Sequence, residues 1–162
     1  MHSKIFQIEP HPIEQPDMIS PDYYPADHWF LQSIADYIDD DADDSVQSLI
    51  QLFASVCPDQ FETFSDPNGR AIVFKDRFAR SFLKKQHRLF DAALLKLIAE
   101  STAEAFSDNS LAQTLYDLNN AYADRYGIYI QSSGDLRPLA DFVRVIRPDT
   151  RYCFGGSVDF HA

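Results

Sequence analysis

The sequence predicts an α+β domain, with four to six helices packed on a small, mainly antiparallel sheet and a proline-rich extended arm at the N-terminus. Three observations predict it. Apolar residues recur at helical spacing in several segments, and short apolar or alternating runs are fenced by turn residues. Strand and helix signals also fail to alternate as a doubly wound parallel sheet requires. At 162 residues and 18.5 kDa, 45% apolar and 14% aromatic, the composition excludes a disordered chain. A chain of this length buries roughly 70% of the surface it exposes when unfolded, so it needs neither disulfides nor a structural metal.

Residues 1–25 are assigned to the arm, because they hold five of the nine prolines (Pro10, Pro12, Pro16, Pro21 and Pro25). Proline continues neither a helix nor a central ladder. Only Lys4–Ile8 alternates as a strand, with Phe6 and Ile8 on one face. Residues 26–162 are assigned to a single α+β domain. Asp27 can cap a helix running to about Asp39, with Phe30, Ile34, Tyr37 and Ile38 at helical spacing. Asp44 and Gln47 form a capping-box signal for a second helix that buries Val46, Leu49, Ile50 and Phe53 and stops before Pro58. The runs Phe61–Phe64 and Arg70–Phe74, separated by Ser65-Asp66-Pro67-Asn68-Gly69, read as a β-hairpin.

A long helix is expected from Asp76 to about Glu100, with Phe78, Phe82, Leu89, Ala93 and Leu97 in one sector and Arg77, Arg80, Lys84 and Arg88 opposite. Ser101 and Glu104 have capping-box spacing, and a further helix through Leu111, Leu115, Leu118 and Tyr122 is expected to end at Gly127. Ile128–Gln131 reads as a strand. Asp135 is expected to cap a last helix through Leu136, Leu139, Val143 and Ile146, halted by Pro148. Tyr152–His161 reads as the final strand.

Charge carries the strongest functional signal. Fourteen Lys and Arg face 25 Asp and Glu, 20 of them Asp, for a net charge of −11 and a pI near 4.6. Residues 75–91 hold six of the bases against two acids, so the rest of the chain carries −15. Six aspartates, Asp36, Asp39, Asp40, Asp41, Asp43 and Asp44, crowd into nine residues. Such a field repels phosphates and disfavours direct nucleic-acid binding by the whole domain. The basic stripe of about 16 Å at helical rise could follow one backbone strand or pair with the aspartates across the fold. The acids suit either a solvated surface or a docking surface for a basic protein.

Chemistry has one candidate location. In Tyr152–His161 strict alternation places Tyr152, Phe154, Val158 and Phe160 in the core and aligns Cys153, Ser157, Asp159 and His161 on the other face. Asp159 could orient His161 as a base for a Cys153 or Ser157 nucleophile, giving a small hydrolase or transferase. A straight strand opposes this, holding Cys153 about 26 Å and Ser157 about 13 Å from His161. A bulge at Gly155-Gly156 would break the alternation.

Metal and cofactor sites are not indicated. The five histidines form no helical ligand pair. Asp39, Asp41 and Asp43 resemble the opening of a calcium loop, but Asp44 stands where glycine is needed and Ile50 where a bidentate Glu is needed. No P-loop, dinucleotide fingerprint or nucleophile elbow occurs. Two cysteines, no long aliphatic run and a polar segment after Met1 predict a soluble, reduced, cytoplasmic protein. The sequence therefore points to an acidic accessory or regulatory protein that binds a basic partner. One specific form is an inhibitor of a nucleic-acid-handling enzyme, of anti-restriction or anti-CRISPR type, with aspartates in place of phosphates. Hydrolase or transferase activity at the C-terminal strand is the alternative.

Overall fold

The computed structural model describes residues 2–41, 45–67 and 69–162. The chain runs β1 (His2–Glu9), α1 (Trp29–Ser33), β2 (Tyr37–Asp40), α2 (Ser45–Val56), β3 (Phe61–Asp66), β4 (Gly69–Phe74) and α3 (Phe78–Glu100). It continues through α4 (Ala103–Ser107), α5 (Leu111–Ala123), β5 (Tyr129–Ser132), β6 (Asp135–Pro138), α6 (Leu139–Val145) and β7 (Arg151–His161).

The α+β class holds, but the sheet is larger than the small one expected. Its seven strands run β3-β4-β7-β1-β5-β6, with β2 on the second half of β7. Every pairing is antiparallel except β1 with β5. The centre of the sheet comes from the segment expected to be an arm. The prolines begin only at Pro10, so His2–Glu9 keeps every N–H its ladder needs, and five consecutive residues from Ile5 to Glu9 are buried.

Two cores flank the sheet. On one side α2, α3 and α6 bury Leu49, Phe53, Phe78, Phe82, Leu139, Phe142 and Val143 against Phe6, Ile8, Ile72, Phe74, Ile130, Tyr152 and Phe154. On the other side, Ile19, Tyr24, Phe30 and Ala35 cover Ile5, Tyr129, Val158 and Phe160. Phe6 and Ile8 share a face as expected.

The even-numbered residues of β7 do not share one. Phe6 pairs with Ser157 and Ile8 with Phe154, so two steps along β1 match three along β7. The extra residue falls at Gly155-Gly156, a bulge that turns Tyr152 and Phe154 to the helical side and Val158 and Phe160 to the other. Glycine is required there. A Cβ on Gly155 would lie 2.3 Å from Gln7 Oε1, and one on Gly156 2.3 Å from the Ile19 carbonyl oxygen.

Other corrections are local. The helix expected over Asp27–Asp39 is a single turn, α1, capped by His28, whose Nδ1 accepts from Phe30 N at 3.3 Å. Aspartate is a poor helix-interior residue, and Tyr37-Ile38 pairs with β7 instead, beginning with Asp36 N donating to the His161 carbonyl at 2.7 Å. Asp36, Asp39 and Asp40 therefore lie at the edge strand rather than in a helix–helix connection, and Asp43 and Asp44 lie outside the described residues. The expected Asp44 cap lies outside the described residues, while α2 ends before Pro58 as expected.

The hairpin is present, with longer strands than expected. The break after α3 is also present, capped by Thr102 accepting from Ala105 N at 3.1 Å rather than by Ser101. The C-terminal cap of α5 is Asp124, in left-handed conformation (φ 47°), rather than Gly127. Asp135 opens β6 instead of a helix. Ser133 and Gly134, both at positive φ, turn β5 back on itself, and α6 starts only after Pro138. No helix among the described residues is long and apolar enough to cross a membrane.

Candidate functional site

The layer opposite the helices is built almost wholly from residues 10–40. Pro16 and Pro21 each open a 3₁₀ turn, Gln15–Asp17 and Pro21–Tyr23, because a fixed φ suits a first helical position. Besides its four buried apolar residues and the Arg125 guanidinium, which donates to the Ser33 carbonyl, the Gln7 side chain anchors this layer. Gln7, itself buried, donates from Nε2 to the Asp17 carbonyl (2.9 Å), and its Oε1 accepts from Ile19 N (2.9 Å) and Gly156 N (3.2 Å). Gln7 sits opposite the bulge, so one amide satisfies the irregular strand and the covering chain together.

The outer surface of this layer is acidic and aromatic. Glu14, Asp17, Asp22, Asp27, Asp36, Asp39 and Asp40 are all exposed. Among them stand Tyr23 and Trp29 with 48% and 47% of their surfaces open, and Met18 with 39%, whereas Tyr37 and Asp39, paired with His161 and Asp159, project to the helical side of the sheet at its edge. No Lys or Arg occurs between Ile5 and Gly69, against fourteen acids. This unbroken cation-free stretch is a sharper signal than the aspartate cluster, and it is legible in the sequence.

The six clustered aspartates divide. Asp36, Asp39 and Asp40 face solvent, and Asp43 and Asp44 lie outside the described residues. Asp41 points inward with its side chain 2% exposed, accepting from Lys4 Nζ at 2.7 Å and from Ser157 Oγ at 2.8 Å. Lys4 also donates to Ser45 Oγ and lies 3.4 Å from Asp159. Burial works against the Lys4 charge, but the hydrogen bond and charge of Asp41 and the charge of Asp159 outweigh it, holding the ammonium above its ordinary pKa. A lysine held charged serves as a clamp between β1, β2 and the start of α2, not as a base for Ser45.

The bulge separates the expected catalytic group. Cys153 lies between Tyr152 and Phe154 on β7 and so points away from the helices, buried. Ser157, Asp159 and His161 follow the bulge and share the face of Lys4 and Phe6. Ser157 bonds Asp41, and Asp159 pairs with Lys4. His161 Nδ1 lies 3.5 Å from Asp36 Oδ2, its ring stacked on Tyr37 at 5.1 Å and meeting the edge of His2 at 4.9 Å. Asp159 is thus taken up by Lys4 rather than positioned to orient His161, and Cys153 is on the wrong side of the sheet for either.

Arg77, Arg80, Lys84 and Arg88 are exposed along α3 as expected, on the helical side of the sheet. Among the described residues none of the four forms an ion pair. No group of three or more His, Cys, Asp or Glu among the described residues is placed to hold a metal ion. No family model, curated protein or solved structure matches this chain.

Proposed function

We propose that this protein is an accessory or regulatory protein that docks its acidic, aromatic-studded face on a basic surface of a partner protein. The carrying observation is the composition of that face: six exposed carboxylates, Glu14, Asp17, Asp22, Asp27, Asp36 and Asp40, interleaved with half-open Tyr23 and Trp29, without a cation of its own segment. Uncompensated charge steers a basic partner and sets register, while Trp and Tyr are the side chains that most often supply binding energy at an interface. Asp36, Asp39 and Asp40 are exposed at and just before the edge strand β2, Asp39 and Asp40 on its two faces, and an enzyme's phosphate-binding groove that grips this edge would meet all three. Inhibition of a nucleic-acid-handling enzyme is the specific form of the proposal.

The test is capture from nuclease-treated native lysate at low salt with three baits: the native chain, D36N/D39N/D40N and W29A. The native chain is expected to retain a basic protein that elutes as salt rises, and both variants are expected to lose it. Added duplex DNA is expected to displace the partner if its groove is the docking site. Equal retention of the same protein by the neutralised bait would sink the proposal.

A further inference from the structure

We propose a second, separate site: a groove between α2, α3 and α5 that binds a small apolar molecule carrying a protonated amine. The groove measures about 520 Å³, within the roughly 300–1,000 Å³ of small-molecule sites. Leu52, Val56, Phe82, Leu89, Ile128 and Leu139 make its walls. It lies on the opposite side of the sheet from the acidic face and depends on nothing in that reading.

Two acceptors one turn apart on α5 select the head group. Asn120 Oδ1 is buried and has no hydrogen-bond partner among the described residues, although a buried carbonyl oxygen is costly to leave unmet. Asp124, four residues on, also lines the groove. Among the described residues its carboxylate has no hydrogen bond or ion pair, and burial pushes its pKa up. The carboxylate packs over Gly127, which has no side chain to displace it. Asp124 is in left-handed conformation, and its Oδ1 lies where a Cβ on Gly127 would sit, 2.2 Å away.

Asparagine adopts left-handed φ as readily and would carry no desolvated charge. Keeping a carboxylate there costs stability that a ligand cation would return. Lys85 stands on the α3 wall but is exposed, so its long stem can carry its charge out to solvent. The groove thus offers two acceptors and apolar walls, which fit an alkyl- or arylammonium ion.

The experiment titrates 2-phenylethylamine, and separately 3-phenylpropanoate, into isotopically labelled protein and follows amide shifts. The amine is expected to shift residues 52–56, 89 and 120–128 saturably, with a Kd of roughly 1 mM for so small a probe. The carboxylate of similar size is expected to shift them little. D124N is expected to stay folded and to weaken amine binding about tenfold. Amine shifts that neither saturate nor map to the groove, equal binding of the carboxylate, or undiminished binding by folded D124N would each overturn the proposal.

Discussion

The two layers on this sheet are built by different means. The helical layer is held by an aromatic cluster in which Phe53 touches Phe61, Phe74, Phe78 and Phe82 with ring centroids 5.2–6.3 Å apart. The opposite layer is irregular chain and one helical turn, held by four buried apolar residues and the side-chain amide of Gln7. Regular helices satisfy their own backbone and leave side chains free to pack, whereas a proline-broken segment must borrow partners from the sheet. The thin layer consequently spends its outward side chains on charge and aromatic rings. The two layers are thus separate in what holds them to the sheet.

The largest expected effects test that separation. F53A removes a fully buried ring from the centre of the helical core and is expected to cost about 3–5 kcal/mol, raising amide exchange everywhere. Q7A leaves the buried N–H groups of Ile19 and Gly156 unmet and is expected to cost about 2–3 kcal/mol. Its signature is different: exchange at Ile19 and Tyr24 should accelerate more than at Phe53 or Ile72. Uniform acceleration in Q7A would mean that the acidic layer is part of the same cooperative unit as the helical core.

The same contrast sets how far the fold was legible. Helical periodicity found α2, α3 and α5, and turn residues found the β3–β4 hairpin, because each signal is local. The centre of the sheet was missed because proline density was averaged over residues 1–25, when the prolines begin only after His2–Glu9. The β2 strand was read as helix because Ile34, Tyr37 and Ile38 carry helical spacing, and only pairing with β7 decides otherwise. The alternation expected along β7 holds on each side of Gly155-Gly156 but not across it. Its meaning reversed at Gly155-Gly156, where a bulge that long-range contact with Gln7 and Ile19 imposes splits Cys153 from Ser157 and His161. Of the candidate docking residues, Asp36, Asp39 and Asp40 are exposed where composition placed them. The inward turn of Asp41 depends on Lys4, 37 residues away in sequence, and no local pattern announces it.

A smaller effect is expected at the groove on the helical side. Burial raises the Asp124 pKa above its ordinary 3.8, so the folded chain binds more protons than the unfolded one between those two values. Stability therefore falls as pH rises through that interval, and the loss persists above it. D124N does not titrate, so it is expected to raise Tm slightly at pH 7, with the gain shrinking as pH falls through that interval and vanishing below the ordinary 3.8. A gain that is flat from pH 3 to 7 would show that the carboxylate charge is not what costs stability there. Arg125 is the nearby cation to control for, since it couples with Tyr129 alongside Asp124.

The smallest effect on stability is expected from D36N/D39N/D40N, and its smallness is informative. Exposed charges away from caps and buried pairs change stability by no more than about 0.5 kcal/mol each. Removing three like charges from one edge relieves repulsion, so the variant is expected to melt at or slightly above the native temperature in low salt. The acids have one structural use as well, since charge on an open edge strand keeps it from pairing with another chain. If that were their whole purpose, the variant would self-associate yet still capture any partner the native chain captures. If they serve docking, partner binding is lost while light scattering shows a monomer-sized species unchanged from the native chain. The two outcomes separate an edge protected from contact from an edge made for it.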